Sequence, residues 1–162
     1  MRPVGWVAEL VSLDLMDATT YLVPWDVPFA KSGPLYPSVS LITEQFGGSA
    51  TVVVAPHGTN QYPKFLVRFD KVLAALYYEE ALALRGEYPA VVADAPTSGC
   101  AYLWPDSPWL RASRGWAEFL QWPEPQHYVI FGADDVVELL ASGESKVERI
   151  DEKTVLETKH EV

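Results

Sequence analysis

Short apolar runs, each closed by proline or glycine, most constrain what this chain can become. SATVVVAP (residues 49–56) is a brief β-branched run stopped by proline, and TTYLVPW (19–25) has the same texture. Between them, WDVPFAKSGPLYP (25–37) carries so many turn residues that it reads as an extended loop. SVSLITEQFGG (38–48) has serines suited to a helix start and two glycines suited to a helix end, and is read as one short helix.

Two stretches share a plan of apolar run, short acidic break, apolar run and acidic end. In the first, KFLVRF precedes Asp70-Lys71 and then VLAALYYEE. In the second, YVIFG precedes Ala133-Asp134-Asp135 and then VVELLASGE. Both are read as β-hairpins, although the Ala, Leu and Glu content of 72–86 keeps a helix open there. Residues 87–126 give two short strands, near Ala90–Ala93 and Cys100–Trp104, and one turn of helix before the Pro-Glu-Pro segment. The expected fold is α+β and β-rich: mostly antiparallel sheet, with a partly closed barrel as one form, and one or two short helices. Residues 1–150 are expected to form a single domain, with 151–162 an acidic, frayed tail.

The balance of 49% hydrophobic and 21% charged residues over 162 positions is that of a globular protein. No apolar run approaches the roughly 20 residues a membrane helix needs, and Glu9 and Asp14 interrupt any signal-like start. A lone cysteine, Cys100, makes no internal disulfide, which points to the reducing cytoplasm. The formal charge is −10, with 22 acids against 12 Lys and Arg and no basic cluster. Nucleic acid and anionic membranes are therefore disfavoured partners, and a basic protein is favoured.

Candidate chemistry is sparse. Asp134 and Asp135 suit a turn tip, where exposed carboxylates make poor general acids. Glu138, alone in an apolar run, needs a partner if buried, and Arg68 is the expected one. His57, His127 and His160 lack metal-ligand spacing, so no metal or cofactor is expected; His127 is read as capping a strand edge and His57 as a loop residue. Cys100 reads as a small buried residue rather than a nucleophile, and Ser98 lacks the glycines of a nucleophile elbow. No catalytic residues are assigned.

Aromatic content is the heaviest signal. Trp104, Trp109, Trp116 and Trp122 fall close together with Arg111 and Arg114, residue types that dominate binding hot spots. These six and Glu138 are the candidate binding residues, with Trp25, Phe29 and Tyr36 as possible additions; burial at the end of a barrel is the competing structural role. Small size, acidity and the absence of catalytic motifs resemble the bulk properties of bacterial immunity proteins. The expectation is a non-enzymatic module of immunity or inhibitor type that binds a basic protein. The alternative is a small-molecule or catalytic pocket near Trp104–Trp122, His57 and Glu138. A homo-oligomer joined through strand edges is a third form.

Overall fold

The computed structural model describes residues 21–31, 36–44, 48–57, 62–79, 88–92 and 99–152. Nine strands are seen among them: β1 Val23–Pro24, β2 Ser38–Thr43, β3 Ala50–Ala55, β4 Lys64–Phe69, β5 Val72–Glu79, β6 Ala101–Leu103, β7 Pro125–Phe131, β8 Asp135–Ser142 and β9 Lys146–Ile150. One α-helix, α1, spans Pro108–Phe119, and a 3-10 turn lies at Pro28–Lys31. The strands form two antiparallel sheets, ordered β1-β6-β7-β8-β5 and β2-β3-β4-β9, with no closed barrel among the described residues.

Alternation explains the second sheet. In β3 and β4 every other residue is buried, and Val52, Val54, Phe65, Val67 and Phe69 point into a core shared with the first sheet. That sheet contributes Tyr128, Ile130, Val137 and Leu139, so one hydrophobic cluster joins the two layers. Full burial of such side chains stabilises by roughly 1.5–3 kcal/mol each. Strands β7 and β8 do not alternate, because both of their faces are covered. Their outer face carries Val129 and Val136 in a second cluster with Leu22 and Tyr102, and α1 packs beside it through Leu110 and Ala117. A continuous apolar run such as VVELLA is the sequence form of a strand buried on both sides.

Several expectations are corrected by this arrangement. Ser38–Thr43 is a strand, not a helix: Val39, Leu41 and Ile42 pair along β3, and that pairing overrides the terminal glycines. The second of the two similar stretches is a hairpin, with Phe131 opposite Val136. The first is not. Asp70-Lys71 is a corner at which the chain leaves β4 in one sheet and enters β5 in the other. A matching corner lies between β8 and β9, where Gly143 has φ of 86°, a backbone form that favours glycine. The two corners meet: Ser142 N–H donates to the Lys71 carbonyl at 2.8 Å, and Lys146 Nζ lies 2.9 Å from Asp70.

The single helical turn expected after Trp109 is instead a twelve-residue helix. Ser107 caps it, with the side chain accepting from Leu110 N–H, and Pro108 occupies its start, where its missing N–H is no loss. The strand expected at Ala90–Ala93 is reduced to one parallel bridge, Leu22 to Val91. Of the contested stretch 72–86, Val72–Glu79 is strand, and the rest lies outside the described residues, as does most of the expected C-terminal tail.

Candidate functional site

The outer face of the first sheet gathers the polar side chains with chemical potential. In the β7–β8 register His127 pairs with Leu140 and Val129 with Glu138, which places His127 and Glu138 diagonally on one face. His127 Nε2 lies 2.9 Å from Glu138 Oε2, and His127 Nδ1 lies 2.7 Å from Ser107 Oγ. Tyr78 of β5 and Tyr88 both donate to Glu138 Oε1. The Trp104 ring stacks on His127 at 5.4 Å, and Trp109 meets it edge-on at 5.2 Å.

Donors and acceptors form one connected network. Ser107 Oγ accepts from Leu110 N–H and has both a hydrogen and a second lone pair left for His127 Nδ1. His127 Nε2 bonds Glu138, whose carboxylate also accepts from the two tyrosines. Ser107 Oγ and Glu138 Oε1 each serve two partners, so the polar atoms of Ser107, His127 and Glu138 are all engaged. The network therefore runs from the N-terminus of α1, through β7 and β8, to β5.

A serine, histidine and carboxylate in sequence resemble the hydrogen-bond order of acyl-transfer enzymes. Access separates the two cases. Ser107 is 0% exposed and His127 2% exposed, and Ser107 Oγ is already committed to the helix cap. A nucleophile must reach substrate, with a site about 3 Å away for the reacting atom. A cavity of about 220 Å³ is lined by Trp104, Leu110, Gln126 and His127, but neither Ser107 nor Glu138 lines it. The cluster is built to hold α1 against the sheet.

Two expectations about these residues change. Arg68 does not partner Glu138; it lies on the other sheet and pairs with Glu148 at 3.2 Å on the surface. His127 is not a strand-edge cap but the centre of the buried network. His57 stands exposed beyond β3 in the other sheet, apart from Glu138, and His160 and Ser98 lie outside the described residues. Cys100 is buried, with its Sγ 3.9 Å from the Phe29 carbonyl, and burial pushes its thiol up to about 11. Among the described residues no group of three or more His, Cys, Asp or Glu could hold a metal ion.

The tryptophan cluster divides. Trp104 and Trp109 belong to the buried network around His127 and Glu138. Trp116 points outward from α1, 65% exposed, with Phe119 beside it at 6.3 Å and 78% exposed. Trp116, Leu120 and Trp122 also wall an open cleft of about 370 Å³ against Val72, Leu73 and Ala74 of β5. Arg111 bonds Asp106 at 2.9 Å, and Arg114 lies 3.8 Å from Glu124. Trp25 and Phe29 do not join this surface, because they pack between the sheets against Phe69, Phe65 and Tyr128. Tyr36 is exposed.

Ser107, Tyr78, Tyr88 and Phe119 were not singled out by sequence. Ser107 carried a readable signal, since serine followed by proline marks a helix start. Compared with protein-family models, curated proteins and solved structures, the chain matches none.

Proposed function

We propose that this chain is a non-enzymatic binding module that recognises another, basic protein through the outward face of α1. The observation that carries the reading is the adjacent exposure of Trp116 and Phe119 on a helix whose opposite face is docked. Aromatic side chains bring a large hydrophobic area to a contact, and Trp is enriched among the residues that dominate binding energy. The formal charge of −10 favours a basic partner and speeds its encounter. Burial of Ser107, His127, Glu138 and Cys100 supports recognition over catalysis. The single cysteine, which makes no internal disulfide, supports a reducing compartment, by preference the cytoplasm.

The test is capture on immobilised protein from native lysate at low salt, followed by a salt gradient. The reading expects a basic protein that is retained at low salt and released as salt rises. Retention indifferent to salt, or only acidic proteins retained, refutes the electrostatic selection.

One observation favours a second reading, a small-molecule site. The cavity beside Trp104 and His127, about 220 Å³, is below the roughly 300–1,000 Å³ of ordinary ligand pockets and suits only a small molecule. A metabolite that raises the thermal midpoint of the wild type but not of Trp104→Leu supports it.

A further inference from the structure

We infer that a second copy of this chain pairs with β5, edge to edge and antiparallel, with Leu76 of each copy at the two-fold axis. The inference goes beyond partner binding by α1 and begins with the four sheet ends. β1 is two residues long and ends in Pro24. β9 carries Lys146, Glu148 and Arg149. The start of β2 is covered by the β7–β8 turn, whose Ala133 N–H donates to the Pro37 carbonyl at 2.8 Å. Short strands, proline, charge, bulges and cover are the devices that keep edges from pairing. β5 carries such a device only at its start, where the register shifts between Val72 and Ala74 and the Val72 N–H is held by the Gly48 carbonyl; from Ala74 to Tyr78 the strand is regular and holds no proline and no charge. Among the described residues it is an end strand of its sheet, with Leu76 48% and Tyr77 50% exposed.

The sequence of β5 is complementary to itself when reversed about Leu76. Tyr77 then lies opposite Ala75 of the second copy, and Tyr78 opposite Ala74, so each large ring meets a small side chain. The two Leu76 side chains face each other at Cβ separations of roughly 4.5–5.5 Å. A register moved by two residues toward the start of β5 is obstructed, because the Val72 N–H is already held by the Gly48 carbonyl. The Leu76-centred register leaves that contact intact.

Directly opposed residues share a face, so the two-fold axis stands perpendicular to the sheet. Both α1 helices then lie on the same side of one ten-stranded sheet. Two Trp116–Phe119 faces would be offered together, and a partner with two matching sites gains avidity without any new contact.

Sedimentation equilibrium of the purified chain tests the association, and a cysteine variant tests the register. The wild type should sediment as a dimer at micromolar concentration, with a thermal midpoint that rises with protein concentration, and Leu76→Lys, which sets two ammonium groups face to face, should sediment as a monomer that still unfolds cooperatively at a midpoint independent of concentration. Under mild oxidation Leu76→Cys should form a covalent dimer, while Tyr77→Cys, whose copies are offset, should not. The buried Cys100 stays out of this reaction. A wild-type monomer throughout, or a dimer that survives Leu76→Lys, overturns the inference. Cross-linking of Tyr77→Cys in preference to Leu76→Cys overturns the register.

Discussion

Replacing Ser107 with alanine removes one oxygen that serves two structures. Its side chain caps α1 by accepting from Leu110 N–H, and loss of a serine cap costs about 1 kcal/mol. The same oxygen lies 2.7 Å from His127 Nδ1, inside a region where His127 is 2% exposed. Alanine leaves that nitrogen without a partner, and an unsatisfied buried polar atom costs about 1–3 kcal/mol more. The expected loss is therefore about 2–4 kcal/mol, at least twice that of an ordinary cap. For a chain of this size it lowers the thermal midpoint by roughly 5–15 °C. Urea denaturation of wild type, Ser107→Ala, His127→Phe and the double variant measures both parts. In the His127→Phe background no imidazole is left to orphan, so Ser107→Ala should cost only the cap, and the cycle should close with about 1–3 kcal/mol of coupling. A loss near 1 kcal/mol in both backgrounds, with additive effects, would refute the bridging role of Ser107.

The other expectations follow from burial and close approach. The Cys100 thiol is raised from 9.0 to about 11 by burial, so as pH rises past 9 the unfolded chain ionises first and stability falls until about 11. The full effect approaches about 3 kcal/mol; the fall in denaturation midpoint over that window should shrink in Cys100→Ala, and a thiol reagent at pH 8 should react only after unfolding. A Cβ on Gly132 would stand 2.7 Å from Val39 Cγ2 and 2.9 Å from the Asp135 carbonyl, so Gly132→Ala should destabilise by roughly 1–3 kcal/mol in urea. Gly115 lies within α1 with open space at its Cβ position, and Gly115→Ala should stabilise by about 0.5–1 kcal/mol in the same assay. Arg68 and Glu138 sit in different sheets, so Arg68→Ala should change stability by less than about 1 kcal/mol and add to Glu138→Ala without coupling.

Strands were more legible in this sequence than their partners. Residues 125–142 announce a hairpin because two apolar runs flank a three-residue polar turn that their own pairing closes. Residues 64–79 have the same local pattern, yet β4 pairs with β3 and β9 while β5 pairs with β8. Nothing local to Asp70-Lys71 distinguishes a hairpin turn from a corner; the difference lies in which distant strands offer the better register. Helix α1 was underestimated because its apolar anchors, Leu110 and Ala117, are few and its exposed face carries Trp116 and Phe119, which blurs the amphipathic period. Glu138 could be flagged as an acid needing a partner, but His127, Tyr78 and Tyr88 come from three separate segments and converge only in the fold. The tryptophans stood out by density, and density could not separate the two that pack on His127 from the one that faces water.

The most direct test of the binding account joins two readings on one variant, Trp116→Ser with Phe119→Ser: thermal midpoint and retention of the salt-eluted partner. If these rings serve recognition rather than the fold, the midpoint should stay within about 2 °C of wild type, as surface changes do, while retention is lost. A midpoint that falls by several times that amount, with the partner still retained, would contradict the assignment of α1 as the binding face.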